Sequence, residues 1–220
     1  MPFAPNRTTL GAVTQVQTLS RRPEAPTEKR QATETAVLTA MEELLGEGTP
    51  YAALSVERIA TRAGISRTAF YFYFADKREL LMRLASELSD ELYDEADAWW
   101  SGAGDGSQQL TAAVAKIATL YRAHRPLVCA IVEVAAYDEV VGPFWRALVD
   151  RFVQASAQRI ATEIEAGRAD AALVPEAISF SLVWMTERAL YQMLVQDSPV
   201  CDDALVSALA RIWTTTVYGS

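Results

Sequence analysis

Apolar positions along most of this chain recur at the spacing of helices that turn one face inward. The pattern begins at Thr27, with Val37, Met41, Leu44 and Leu45 on one face, and Gly46 and Gly48 stop it. Ser55 is placed to cap a short second helix with Val56, Ile59, Ala60 and Ala63 as its apolar positions and Gly64 as its stop. Ser66 offers another cap two residues later. Asp76-Lys77-Arg78-Glu79 has the Asp-x-x-Glu form of a capping box and opens a long helix striped by Leu80, Leu81, Leu84, Leu88 and Leu92. A glycine-rich break at 101–107 precedes a fifth helix faced by Leu110, Val114, Ile117 and Tyr121, and residues 126–137 form a nearly all-apolar sixth. Gly142-Pro143 reads as a turn before a long amphipathic helix from Phe144 to about Ala166, closed by Gly167. Pro175 starts a strongly apolar helix to about Val195, and Asp202 or Asp203 starts the last one, which ends near Tyr218-Gly219. No strand is left over, so the expected fold is all-α with nine helices.

One segment resists this reading. Phe70 to Phe74 is Phe-Tyr-Phe-Tyr-Phe, an aromatic alternation with the period and propensity of a half-buried strand. The caps at Ser66 and Asp76 leave room for about two turns of helix, and no partner strand is available. On a helix, Phe70 and Phe74 share a face and turn inward with Ile59, Ile65 and Leu81, while Arg67, Thr68 and Tyr71 point away. Phe72 is ambiguous between the two sides.

Composition adds ordinary globular character: half the residues are apolar and 22% charged. No apolar run approaches the roughly 18 residues of a membrane span, and the N-terminus has no apolar h-region, so no membrane association and a cytoplasmic location are expected. Cys129 and Cys201 lie outside any metal-binding or disulfide spacing and read as buried free thiols; His124, before Arg125-Pro126, reads as a helix end. The net charge of −8 argues against nucleic acid until its distribution is considered. Residues 1–85 carry 11 Lys and Arg against 9 Asp and Glu, whereas residues 86–220 carry 9 against 19. A small basic head sits on an acidic body.

A helix stopped by Gly64, a turn through Ile65 and a new helix capped by Ser66 is the sequence form of a helix-turn-helix, whose second helix enters the major groove. Arg67 is then placed to pair with guanine and Thr68 to meet a thymine methyl. Tyr71 and Tyr73 bring hydroxyl donors to phosphates, and Lys77 with the backbone amides of the fourth helix forms a phosphate-binding terminus. With the capping residues Ser55 and Ser66, these are the candidate DNA-contacting residues. Residues 1–26, with four prolines and no sustained periodicity, read as a disordered tail, with a basic arm along the minor groove as the alternative.

The stretch GISRTAFYFYFADKREL resembles the motif of the tetracycline-repressor family, and the resemblance implies DNA contacts at Arg67, Thr68, Tyr71, Tyr73 and Lys77. Farther on, WMTERALY (184–191) and RIWTTTVYG (211–219) are similar to the branch holding the mycobacterial repressors of ethionamide activation. The resemblance then covers most of the chain from about residue 30. It implies a helix-turn-helix domain over 27–75, a ligand-binding and dimerisation domain over 76–220, and a two-fold dimer through the last two helices that reads a palindromic operator in double-stranded DNA.

The body carries Trp99, Trp100, Trp145, Trp184 and Trp213, which suit either a well-packed core or the wall of a pocket. Leu110, Val114, Ile117 and Tyr121, joined by Trp145, Phe152, Val183, Thr186, Tyr191 and Trp213, suit a small hydrophobic effector. Where that branch is expected to carry amides, this chain has Val183 and Thr186, so the same inducer is not implied. No catalytic residue, cofactor or metal is expected: Glu133, Asp138, Glu139 and Glu163 stand without a histidine or nucleophile partner and read as solvated acidic faces. The competing function is a helical protein-interaction module with a vestigial helix-turn-helix.

Overall fold

The computed structural model describes residues 28–102, 104–195 and 201–219. The expected tail at 1–26 lies outside the described residues. Among those residues the chain forms nine α-helices and one short 3₁₀ helix, and no strand. α1 (Glu28–Gly46) is followed by the 3₁₀ turn Tyr51–Ala53, α2 (Val56–Arg62) and α3 (Arg67–Phe70). α4 (Lys77–Ser101) leads to α5 (Gly106–Ala123), α6 (Arg125–Ala135), α7 (Val141–Glu165), α8 (Pro175–Val195) and α9 (Asp202–Tyr218).

The apolar stripes bury as their spacing requires. Val37, Met41, Leu44 and Leu45 of α1 meet Ile59 and Ala60 of α2 in one core, joined by Phe70, Phe74, Leu80 and Leu81. Gly64 turns left-handed at φ 72°, and the Gly64 and Ile65 amides donate back to the carbonyls of Thr61 and Ala60. That closure ends α2 and lets Ser66 begin α3 at once. The Ser55 and Ser66 hydroxyls each accept an amide of the first turn, from Arg58 at 3.2 Å and from Ala69 at 3.0 Å. α3 is shorter than the expected two turns. After Phe70 the chain tightens through the Phe72, Tyr73 and Phe74 amides, which bond to Ala69, Phe70 and Phe70 respectively, so the aromatic run stays helical in sense. Phe70 and Phe74 stack at 5.7 Å inside the head, whereas Phe72 is 77% exposed.

The body is built around α4. α5 and α7 pack along it, α8 packs on α7, and α9 on α5. Trp99, near the end of α4, donates from Nε1 to the Tyr218 hydroxyl at 2.9 Å and stacks edge-on against Trp213 of α9. α6 reaches back to α1, so the first helix touches the body as well as its own core.

Three expectations are corrected. Gly142-Pro143 is not a turn before α7 but part of its first turn, because the Asp138 carboxylate accepts the Val140 and Val141 amides at 2.9 and 3.0 Å and starts the helix earlier. Pro143 is tolerated there since first-turn amides have no helical partner. A side chain at Gly142 would meet the Ala135 carbonyl at 2.9 Å, so the glycine lets α6 and α7 approach. Glu163 is not solvated: it is fully buried, 2.7 Å from Arg159 and 2.6 Å from Arg168, while Arg159 also donates to the Gly102 carbonyl at 2.9 Å. Cys201 is exposed rather than buried, and Cys129 is half-buried. His124 does end α5, and it begins α6 as well.

The two faces of the aromatic run predict opposite outcomes. Phe70→Ala should lower the unfolding free energy by about 3–5 kcal/mol, the cost of emptying a fully buried aromatic site. Phe72→Ala should change it by no more than about 0.5 kcal/mol. Urea denaturation of the two variants checks both.

Candidate functional site

Two regions carry chemistry, the exposed turn of the head and a cavity in the body. In the head, Arg67, Thr68 and Tyr71 project outward from α3 and its last turn, flanked by the exposed Phe72. Arg67 makes no ion pair among the described residues. Arg62 is held instead by Glu43 and Glu47 at 3.1 and 2.8 Å, which fixes α2 on α1. Ser55 and Ser66 sit at the exposed starts of the two helices as caps. This arrangement presents one unpaired guanidinium, a hydroxyl with its methyl, and a phenol from one rigid turn, a combination suited to base edges and phosphates.

Two of the expected contacts are placed differently. Tyr73 is half-buried against the core, in a groove it shares with Leu38, Phe144 and Arg30, whose guanidinium stands 6.0 Å from its ring. Lys77 turns inward. Its ammonium donates to the carbonyls of Tyr51, Ala52 and Leu54 at 2.9, 3.4 and 2.8 Å and stands 4.4 Å from the Tyr51 ring. Partial burial lowers its pKa. Three carbonyls occupy its three hydrogens, so it clamps the 3₁₀ turn to the start of α4.

The amides beside it are taken too. The Asp76 carboxylate accepts from Arg78 and Glu79, both at 2.8 Å, and Glu79 accepts from the Ala75 amide at 2.6 Å. Two carboxylates at this terminus oppose a phosphate. In this structure Lys77, expected at a phosphate, is hydrogen-bonded within a joint of the head. Arg78 extends it, pairing with Asp76 at 3.1 Å and with Asp138, at the start of α7, at 3.5 Å.

The cavity lies between α4, α5, α7 and α8, with α9 at one end. Its volume is about 90 Å³, more than a single water needs and less than the usual span of pockets for drug-sized ligands. Leu110, Val114, Ile117 and Tyr121 of α5 line it, with Trp145 and Phe152 of α7, Val183 and Thr186 of α8, and Trp213 of α9. Tyr191 does not; it is half-buried outside the cavity, beneath the Arg188 guanidinium at 5.2 Å. The Thr186 hydroxyl accepts the Trp213 indole N–H at 2.8 Å.

The same two regions match known proteins. Residues 37–84 match the family described as bacterial regulatory proteins, tetR family, and residues 110–219 match the C-terminal domain of the transcriptional regulator EthR. This chain belongs to the tetR family, in its EthR branch. It is 29% identical over 193 residues to the HTH-type transcriptional regulator EthR of Mycolicibacterium smegmatis, across 85% of this chain and 87% of that protein. EthR of Mycobacterium tuberculosis is 28% identical, across 84% and 87%. Among solved structures, a TetR-family regulator from Syntrophomonas wolfei superposes with a TM-score of 0.72 at 17% identity, covering 84% of this chain and 94% of its own. SmeT, the repressor of the Stenotrophomonas maltophilia multidrug efflux pump SmeDEF, gives 0.71 at 17% identity, covering 86% and 92%. The tetR-family chain is a DNA-binding transcriptional regulator and not an enzyme. No helix among the described residues is long and apolar enough to cross a membrane.

Sequence reasoning missed the share of the cavity wall that α4 supplies, Leu88, Leu92, Trp99 and Trp100 among others, because its stripe reads equally as plain core. It also missed Glu187, one residue past Thr186 and buried. In this tetR-family regulator Lys77 is a brace, and Lys77→Met tests that. The variant should lose about 1–2 kcal/mol of stability by urea denaturation, because three carbonyls lose a charged donor. The slope of log affinity for DNA against log salt should change by well under one, where loss of a phosphate contact would change it by about one.

Proposed function

We propose that this tetR-family protein is a ligand-responsive repressor, binding a palindromic operator as a homodimer and leaving it when a small hydrophobic molecule enters the body. The observation that carries the reading is the continuity of α4. Its first turn is fastened to the head by Lys77, which holds the carbonyls of Tyr51 and Leu54, and Leu88, Leu92, Trp99 and Trp100 farther along the same helix line the cavity. A helix of 25 residues spans about 37 Å at 1.5 Å per residue. A ligand that favours a different setting of α4 therefore also moves the head, and it weakens DNA binding by its difference in affinity for the two settings. The Arg78–Asp138 pair gives the body a second hold on the same joint.

In this reading residues 27–75 are the DNA-binding domain and residues 76–220 bind ligand and partner. Arg67, Thr68 and Tyr71 read DNA from α3, which Ser66 starts, while Ser55 starts α2 before it. α8 and α9 leave Phe180, Val195 and Ile212 exposed, which supports a self-complementary apolar contact between two copies. Two joined heads then supply half-site spacing that one short α3 lacks.

Arg67→Ala and Tyr71→Ala should each weaken binding to DNA selected from random sequence by about tenfold or more, read by fluorescence anisotropy, with the circular dichroism spectrum unchanged. A protein-interaction module would give no selected DNA and no such loss. Ile212→Glu should shift the chain from dimer to monomer in sedimentation equilibrium. Adding 1-decanol to the operator complex should lower DNA affinity; binding in the cavity with DNA affinity unchanged would overturn the release mechanism.

A further inference from the structure

The cavity wall is almost entirely apolar, which makes its exception conspicuous. Glu187 of α8 lines the cavity, its side chain is only 3% exposed, and neither carboxylate oxygen has a hydrogen-bond partner. Its nearest cation is Arg188, whose Nε stands 3.6 Å from Oε2. That is too far for a hydrogen bond, and the Arg188 side chain is 54% exposed with its guanidinium over the Tyr191 ring. A buried carboxylate is costly unless something bonds it. None of the other polar groups of the wall bonds it: the Thr186 hydroxyl accepts from Trp213, and the Ser89 hydroxyl and the Trp100 and Trp145 indole N–H groups are themselves without partners.

We propose that the effector is a lipophilic amine, its alkyl or aryl body filling the cavity between α4, α5 and α7 and its ammonium group donating to the Glu187 carboxylate. This rests on the reading of the cavity as the effector site and narrows it to a chemical class. The apolar wall takes the body of such a molecule, and the orphaned oxygens take its charged end. Burial pushes the Glu187 carboxyl above the usual carboxylate range, with Arg188 pulling the other way, and the same carboxylate helps burial to raise the Tyr121 phenol across the cavity. A cation bound at Glu187 relieves both. Thr186 and Val183 on the same helix add no competing charge, so the head group of the ligand is selected by Glu187.

Three probes of equal length separate this from the broader reading: n-decylamine, 1-decanol and decanoate. Each is titrated against the full chain by isothermal calorimetry and by quenching of the cavity tryptophans. Decylamine should bind at least about tenfold more tightly than 1-decanol and decanoate, the gain of a charge-assisted bond in a dry site. Glu187→Gln should remove that preference with the far-UV circular dichroism spectrum unchanged, which shows that the variant still folds. Decanol binding with no advantage for the amine, or a preference for decanoate, overturns the amine assignment alone. No binding by any of the three overturns the cavity as an effector site and the amine assignment with it. Retention of the amine preference in Glu187→Gln overturns the role of Glu187.

Discussion

Everything in this molecule hangs on one helix being buried at both ends for different reasons. α4 enters the head core through Leu80 and Leu81 and leaves the body core through Trp99, with Leu84, Leu88 and Leu92 between them. A stripe this long cannot be served by one small core, so the helix joins two packed regions and resists bending between them. The joint at its first turn is polar: Asp76 holds two amides, Lys77 holds three carbonyls, and Arg78 crosses to the start of α7. In the proposed release mechanism, this helix and its joint carry a shift in the body to the turn that holds Arg67.

The body combines firmly bonded margins with an internal apolar cavity. A well-packed bundle leaves few voids larger than a water molecule, and the apolar space of about 90 Å³ between α4, α5, α7 and α8 is one of them. Glu163 is clasped by Arg159 and Arg168, Arg159 holds the end of α4, and Trp99, Trp213 and Tyr218 close the bottom between α4 and α9. These contacts hold the helices around the cavity, so a buried ion cluster and an apolar cavity occur in the same domain-sized core.

The head was readable from its punctuation. Gly64, Ser66 and Asp76 are local signals whose meaning depends on backbone chemistry alone: a left-handed turn, a hydroxyl cap, a carboxylate cap. They decided that five aromatic residues with strand periodicity form a helical turn, and the capping box of α4 followed the same logic. Where a side chain had a choice of partners, spacing was silent. Lys77 had phosphate in prospect and found three carbonyls of the preceding turn; Tyr73 had phosphate in prospect and packed against the core beside Arg30.

In the body the sequence determined which residues were available for a wall, because a helical stripe names its own face; nine of the ten expected lining residues surround the cavity, and Tyr191 does not. It determined the helices, their caps and the family. Only the tertiary structure decided which stripes meet in a solid core and which stand back from one another. α4 and α5 carry stripes of the same kind, and nothing in either reveals that they face a space. The same holds for charge: Glu163 and Glu187 are both buried on long helices, yet one is surrounded by two arginines and the other is left with none in bonding reach. Partner and solvent are properties of position in three dimensions, and a carboxylate acquires its role from them.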